Sequence, residues 1–411
     1  MKGISLLKQL FTVALIPIFL VSCGKNEQNP QPKLLLVSID GFHPDYKELY
    51  DAPNLDRLAE SGVLADYMIP VFPTKTFPNH YSIVTGLYTE NSGLIANNMV
   101  DESIDGSYSL GNRDAVQDAR WYDGEPIWVT AEKQGLKTAP MFWPGSEAPI
   151  GGEHPSYWSV YDDDHPYSAR VDSVIHWMTM EPDQSPSFMT LYFSKVDTYG
   201  HRYGPESDST AAAVKEVDDQ IGYLISELDR TGQRENLNIM IVSDHGMAEV
   251  SDERVILLDQ IINLDQVNVV DWNPVAMINP KDESNADEIF EKLKADERNY
   301  WVYKKEDLPE RLRFKNHHRV PEIILIADLG YSITTSERFE RNGITGGAHG
   351  YDNEHAEMQS FFLANGPSFK KGYQIEGFQN IHLYEVMAHL LNLDPAPNDG
   401  SLDSLIHILE E

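Results

Sequence analysis

Three short segments in the latter half of the chain pair acidic groups with imidazoles or set an imidazole among glycines. They are Asp197-Thr198-Tyr199-Gly200-His201, Ser243-Asp244-His245-Gly246 and Gly347-Ala348-His349-Gly350. Asp40, at the end of an apolar run, adds a third carboxylate, and Thr76 in Pro73-Thr74-Lys75-Thr76-Phe77-Pro78-Asn79-His80 adds a hydroxyl. Mixed carboxylate and imidazole sets suit catalytic divalent ions that keep an open position, and a hydroxyl beside paired ions suits phosphoryl transfer. Each fragment alone is weak. The four-residue spacing of Asp197 and His201 is common in proteins without metals. A capping aspartate beside a surface histidine would equally explain Asp244-His245, and a loop histidine would explain His349. Thr76 has the alternative role of an ordinary helix N-cap, and Thr74 competes with it as nucleophile. The coincidence of all the fragments carries the reading.

The elements that must position these groups are legible as runs. Leu34-Leu35-Leu36-Val37-Ser38-Ile39, Met189 to Phe193 and Asn238 to Val242 are apolar stretches of strand length, the pattern of strands covered on both faces of a parallel sheet. Asp40, Asp197 and Asp244 follow them within a few residues. Ligands of open α/β sheets bind beyond the carboxyl ends of the strands, so the three carboxylates are expected in one crevice. Pro53 to Ser61 reads as a short helix closed by Gly62, Asn79 to Val84 as a helix with Thr76 near its start, and Ser207 to Arg230 as a long amphipathic helix. Alternating strands and helices predict an α/β sandwich with a mostly parallel central sheet. The interval 252–341 differs: short strands near Val267–Val270, Ala276–Asn279, Tyr300–Tyr303 and Glu322–Ala327, and a helix near Ala286–Ala295, predict a small α+β cap insertion. The catalytic domain is then expected over 34–251 and 342–411.

A chain of 411 residues can bury a large core, and its formal charge of −33 without a basic run argues against a nucleic-acid duplex or an anionic membrane surface as partner. Bound divalent ions would invert that potential locally and admit an anionic substrate. Residues 1–23 read as a targeting segment, with Lys2 and Lys8 before an apolar run from Leu10 to Leu20 and then Leu20-Val21-Ser22-Cys23. The single cysteine falls where a bacterial lipoprotein is lipidated, so an exported, lipid-anchored protein of the cell envelope is expected, with residues 24–33 as a flexible tether. An ordinary secretory signal and an N-terminal transmembrane anchor are the alternatives.

Further strings run in order along the chain: Ser38 to Phe42, Phe72 to Gly86, Gly124-Glu125-Pro126-Ile127-Trp128, Phe142 to Ser146, Ser243 to Met247 and Gly347 to Asp352. Together they resemble the nucleotide pyrophosphatase/phosphodiesterase family of the alkaline phosphatase superfamily. The resemblance implies an alkaline-phosphatase-like sandwich and two zinc ions, one held by Asp197, His201 and His349, the other by Asp40, Thr76, Asp244 and His245. It implies Thr76 as a nucleophile that passes through a phospho-threonine, and Asn97 as a hydrogen-bond donor to a phosphoryl oxygen beside the backbone amide of Phe77; Asn98 is the adjacent alternative. It also implies a nucleobase held by Phe77, Leu110 and Tyr157 with Tyr192 near, Leu110 and Tyr192 being equally readable as core. The sequence departs from the best-known animal members at Ser194-Lys195-Val196-Asp197, where many carry Glu-Glu-Pro-Asp, which places Lys195 near the cleft.

The implied function is hydrolysis of nucleotide phosphodiester or pyrophosphate bonds to a nucleoside monophosphate. A phosphomonoesterase or a lipid-headgroup phosphodiesterase on the same scaffold is the nearest rival, and Lys195 or Arg113 is then the candidate for a cationic clamp. A catalytically inert, lipid-anchored binding protein is the rival from another class.

Overall fold

The computed structural model describes residues 33–410; the leader, Cys23 and nearly all of the tether lie outside the described residues. Seven strands form the central sheet: β1 (Lys33–Ile39), β2 (Val63–Ala65), β3 (Thr138–Met141), β4 (Phe188–Phe193), β5 (Leu237–Val242), β6 (Phe362–Asn365) and β7 (Tyr373–Ile375), in the spatial order β7-β2-β6-β5-β1-β4-β3. Only β6 runs antiparallel to its neighbours β5 and β2. The three apolar runs read from the sequence are therefore the three adjacent central strands, with β1 between β5 and β4.

Their burial on both faces follows from side-chain alternation. Leu34 and Leu36 of β1 join one core, with Met240 and Val242 of β5 and Phe362 of β6. Leu35, Val37 and Ile39 join the opposite core, with Leu191, Phe193, Ile239 and Ile241. Helices close both faces. They are α1 (Pro53–Glu60), α2 (Thr76–Thr85), α3 (Ile127–Lys133), α4 (Tyr167–Met178), α5 (Lys195–Tyr203), α6 (Asp208–Arg230) and α7 (Leu383–Leu390). α1, α4 and α6 supply the second core, and α2, α3 and α7 the first. In α6 the buried positions Ala213, Val214, Val217, Ile221, Leu224 and Leu228 fall on one stripe, and Ser207 caps it by accepting from the amide of Thr210 at 3.1 Å.

The interval 252–341 carries a four-stranded antiparallel sheet of Val267–Asp271, Val275–Pro280, Ile323–Ala327 and Tyr300–Lys304, in that spatial order. Ala276, Ile278, Leu325 and Val302 on one face pack with Ile289 and Leu293 of the helix Ala286–Ala295. Val275, Met277, Ile324 and Ile326 on the other face merge with the first core of the main sheet. The small sheet thus shares a core with the large one, and the described residues form one compact unit. Among the described residues no helix is long and apolar enough to cross a membrane.

Candidate active site

The site lies beyond the carboxyl ends of β1, β4 and β5. Asp40 directly follows β1, Asp244 follows β5 by two residues, and Asp197 sits in the first turn of α5 behind β4. Gly41 lets these chains approach. Its φ is +67°, a Cβ there would come within 3.0 Å of Asp197, and its amide donates to Asp244 Oδ1 at 3.1 Å. Thr76 opens α2, with Lys75 as the extended residue before it.

The loop that presents Thr76 is held from behind. Asn79, fully buried, accepts from the amide of Val71 at 2.7 Å, and its Nδ2 lies 3.0 Å from the carbonyl of Lys75 and 3.1 Å from that of Pro73. Thr74 is occupied: its hydroxyl donates to the carbonyl of Tyr351 at 3.0 Å and accepts from the amide of Gly350 at 3.0 Å. Thr74 therefore anchors the His349 loop, whereas Thr76 Oγ1 lies 3.2 Å from His245 Nε2 and faces the carboxylates.

All three histidines are oriented in the same way. Nδ1 of His201 donates to the carbonyl of Gly347 at 2.9 Å, Nδ1 of His245 to that of Gly246 at 2.9 Å, and Nδ1 of His349 to that of Thr74 at 2.8 Å. Each Nε2 is left with its lone pair toward the acidic groups, the way backbone carbonyls that accept from the other ring nitrogen orient metal-ligating imidazoles. His245 Nε2 is 3.0 Å from Asp244 Oδ2 and 3.5 Å from Asp40 Oδ1. His201 Nε2 and His349 Nε2 are 3.4 and 3.6 Å from Asp197 Oδ1. The rings of His245 and His349 stack with centroids 3.5 Å apart.

Those same oxygens, Asp40 Oδ1, Asp197 Oδ1 and Asp244 Oδ2, are buried without a hydrogen-bond partner. Burying a carboxylate oxygen without a donor is costly, so three in one cluster mark the place of a cation. Burial, then the charges of Asp244 and Asp197, push the Asp40 carboxyl up, despite a 2.5 Å hydrogen bond from the Tyr192 hydroxyl. Burial acts the same way on Asp244, but His245 and His80 outweigh it and hold that carboxyl well below the usual range. Burial, reinforced by His245 and His201, pushes the His349 imidazole well down and keeps it neutral, the form a metal requires. Donor atoms of Asp40, Asp244 and His245 come together as one group able to hold an ion, and those of Asp197, His245 and His349 as another. His245 belongs to both, and His201 meets the second group through Asp197.

Asn97 is tied to the Thr76 loop and Asn98 to the small sheet. Asn97 Oδ1 accepts from the amide of Phe77 at 3.1 Å, which occupies the amide expected to act beside it. Asn98 Nδ2 donates to Asp271 Oδ1 at 3.1 Å instead.

A cavity of about 330 Å³ opens on one side of Thr76, lined by Phe77, Leu110, Tyr161, Tyr192 and Trp143 among others. Tyr157 is not in it: its hydroxyl donates to the carbonyl of Gln184 at 3.0 Å and its ring stacks on Trp177 with centroids 6.3 Å apart. Tyr161 stands in the place expected of Tyr157, its hydroxyl donating to Asp163 Oδ1 at 2.6 Å. An aromatic residue type does not reveal which side of a loop faces the cavity, so the sequence offered no means of choosing between them. Neither candidate clamp cation is free. Arg113 lines the cavity paired with Glu147, and Lys195 pairs with Glu216 at 2.5 Å.

Sequence reasoning passed over His80 and Lys75. His80 lies one helical turn after Thr76, its Nδ1 2.9 Å from the carbonyl of Thr76 and 3.3 Å from Asp244 Oδ2, and its Nε2 2.7 Å from Ser38 Oγ. The four-residue spacing of Thr76 and His80 was the available signal. Lys75 is buried in an ion pair with Asp271, a residue of the small sheet, and no local pattern announces that partner.

A family model for type I phosphodiesterase/nucleotide pyrophosphatase matches residues 34–352. The chain belongs to this family. Among curated members of the phosphodiesterase/pyrophosphatase family it is 40% identical to bis(5'-adenosyl)-triphosphatase of Mus musculus, over 92% of this chain and 82% of the relative. It is 37% identical to venom phosphodiesterase of Naja atra, over 92% of this chain and 46% of that protein. Murine ectonucleotide pyrophosphatase/phosphodiesterase 5 superposes with a TM-score of 0.88 at 36% identity, covering 92% of this chain and all of the other. The same murine protein was solved as an inactive threonine-to-alanine variant in complex with AMP, with the same score.

Proposed function

We propose that the chain is a two-zinc phosphodiesterase that hydrolyses nucleotide phosphodiester or pyrophosphate bonds and releases a nucleoside monophosphate through a phospho-threonine. The observation that carries this reading is the convergence of three unpartnered carboxylate oxygens and three Nε2 lone pairs near one half-buried hydroxyl, Thr76. Asp40, Asp244 and His245 would hold one ion and Asp197, His201 and His349 the other. When bound, the ions supply Lewis acidity for the attacking and leaving oxygens.

The chain's own residues do the rest. Thr76 Oγ1, at the start of α2 where free backbone amides favour negative charge, attacks phosphorus in line. The bond to the leaving group breaks, and water then cleaves the Thr76 ester to free the nucleoside monophosphate and restore the hydroxyl. Asn97, its Oδ1 held by the Phe77 amide, donates from Nδ2 to a phosphoryl oxygen. Phe77 and Tyr161 offer aromatic faces to the base, which stacking holds with little regard to its identity. The pairing of Arg113 with Glu147 favours a diester over a dianionic monoester, which would need a free cationic clamp. The inactive threonine variant of the murine relative, solved with AMP, supports both the nucleophile and the nucleotide. Anchoring through a lipid on Cys23 completes the proposal.

The test is Thr76→Ala with a substrate panel. Turnover of the p-nitrophenyl ester of thymidine monophosphate should fall by at least about 10³-fold with the melting temperature unchanged. Near-normal turnover, or a preference for p-nitrophenyl phosphate in the unaltered protein, would sink the reading.

A further inference from the structure

Tyr192 and Tyr161 both line the cavity beside Thr76, but they rest on unlike supports. Tyr192 belongs to β4, where pairing with β1 sets it opposite Ser38, and its hydroxyl is fixed on Asp40. Tyr161 belongs to the segment 158–165, which carries neither strand nor helix and sets Asp162, Asp163 and Asp164 in a row. A loop of that kind does not fix a side chain by itself. Its own side chains add little, since the Tyr161 hydroxyl donates within the loop to Asp163 Oδ1, which also accepts from Ser194 Oγ at 3.0 Å. Yet the Tyr161 ring meets that of Tyr192 edge to face, with centroids 6.0 Å apart.

The support is Arg170, a fully buried residue of α4. Its Nε donates to the carbonyl of His165 at 3.0 Å, and its Nη2 to those of Asp162 and Asp163, each at 3.1 Å. Its Nη1 donates to the carbonyl of Tyr192 at 2.9 Å, so one planar group joins the loop of one wall to the strand of the other. The rings of Tyr167, Phe142 and Tyr161 surround the guanidinium carbon, with centroids 4.8, 5.0 and 5.9 Å away. These bonds all go to backbone carbonyls, none to a carboxylate. Burying a guanidinium without a counter-charge is costly, and an apolar side chain would pack against α4 without that cost. What the cation adds is a fixed main-chain path for residues 162–165.

We propose that Arg170 is the positioning residue of the base site: by holding the carbonyls of Asp162, Asp163 and His165 against that of Tyr192, it sets Tyr161 as a wall for the nucleoside. This rests on the diesterase reading and deepens it. Arg170 acts on the part of the substrate that stays on phosphorus, not on the reacting centre. β4 is paired with β1 on one side and β3 on the other, so loss of the guanidinium frees the loop and leaves Asp40 and Thr76 in place.

The p-nitrophenyl ester of thymidine monophosphate and methyl p-nitrophenyl phosphate test it, because they share a leaving group and differ only in what stays on phosphorus. In the purified holoenzyme Arg170→Met should raise KM for the thymidine ester at least about tenfold, the weight of one stacked base, with kcat changed by less than about threefold. Arg170→Lys keeps the charge but not the fork, and should raise that KM at least about threefold. For the methyl ester kcat/KM should change by less than about twofold in both variants. Tyr161→Ala should match Arg170→Met, and the double variant should bind the thymidine ester no more than about twofold worse than either. An unmoved KM, equal losses on both esters, additive losses in the double variant, or failure of both Arg170 variants to fold overturns the assignment while the diesterase reading stands. Failure of the unaltered enzyme to cleave either ester overturns both.

Discussion

Two clusters of buried charge in this molecule are built on opposite principles. In one, Asp101 and Arg319, 4% and 5% exposed, are fully matched. Asp101 Oδ2 accepts from Arg319 Nε at 2.7 Å and His318 Nε2 at 2.9 Å, and Oδ1 from the amide and hydroxyl of Ser103. Three further guanidinium donors reach the carbonyls of Gly93, Trp121 and Arg120 at 2.9, 2.7 and 2.9 Å. In the other, Asp40, Asp197 and Asp244 each bury an oxygen that no donor meets. The matched cluster clamps the segment carrying Asn97 to the small-sheet interval; the unmatched one is incomplete without a cation. Hydrogen-bond satisfaction, not the mere burial of charge, separates structural from chemical use of the same residue types.

The largest way to break this contrast is to remove the cation. Dialysis of the protein against a strong chelator should cut diesterase turnover by at least about 10³-fold, with recovery on adding zinc and about two ions per chain by elemental analysis. An active, metal-stripped enzyme would erase the distinction between the clusters.

Neutralising single carboxylates sharpens it. Asp101→Asn should cost about 3–5 kcal/mol of unfolding free energy, because Arg319 is left buried without its counter-charge. In chelated protein Asp40→Asn should instead raise stability by roughly 1 kcal/mol, since it relieves repulsion from Asp244 and Asp197. Denaturant titrations in which both variants lose stability alike would refute the comparison.

The smallest effect lies in the acid limb of the stability curve. Burial alone would raise the Asp101 carboxyl, but Ser103, Arg319 and His318 outweigh it and hold it below the ordinary carboxylate value of 3.8. A depressed folded pKa means that the unfolded chain takes up protons first. The stability due to Asp101 is therefore complete above that value and is lost as the pH falls below it toward the folded pKa. Thermal melts across this range should be flatter for Asp101→Asn than for the unaltered protein; parallel curves would show that the network contributes nothing.

Much of the frame was legible in the sequence because it depends on local pattern. β1, β4 and β5 were readable as unbroken apolar runs, since strands covered on both faces admit no polar alternation. Asp40, Asp197 and Asp244 were readable as neighbours in space because they follow those runs. The helix Ala286–Ala295 and the strands beside it also fall where periodicity puts them. Partners distant in sequence were not legible. Nothing near Lys75 points to Asp271, 196 positions away, and nothing in Asp101 points to Arg319. The choice of Tyr161 over Tyr157 depends on how a loop turns, which aromatic spacing does not encode.

The small sheet packs one of its faces into the main core, through Val275, Met277, Ile324 and Ile326. The interval 252–341 is for that reason no detachable accessory. Its strand Val267–Asp271 ends in the carboxylate that pins Lys75, so the residue just before Thr76 is tied to the same hydrophobic interior that sets the strand ends. Trimming this interval to make a minimal enzyme would remove part of the floor on which Thr76 stands.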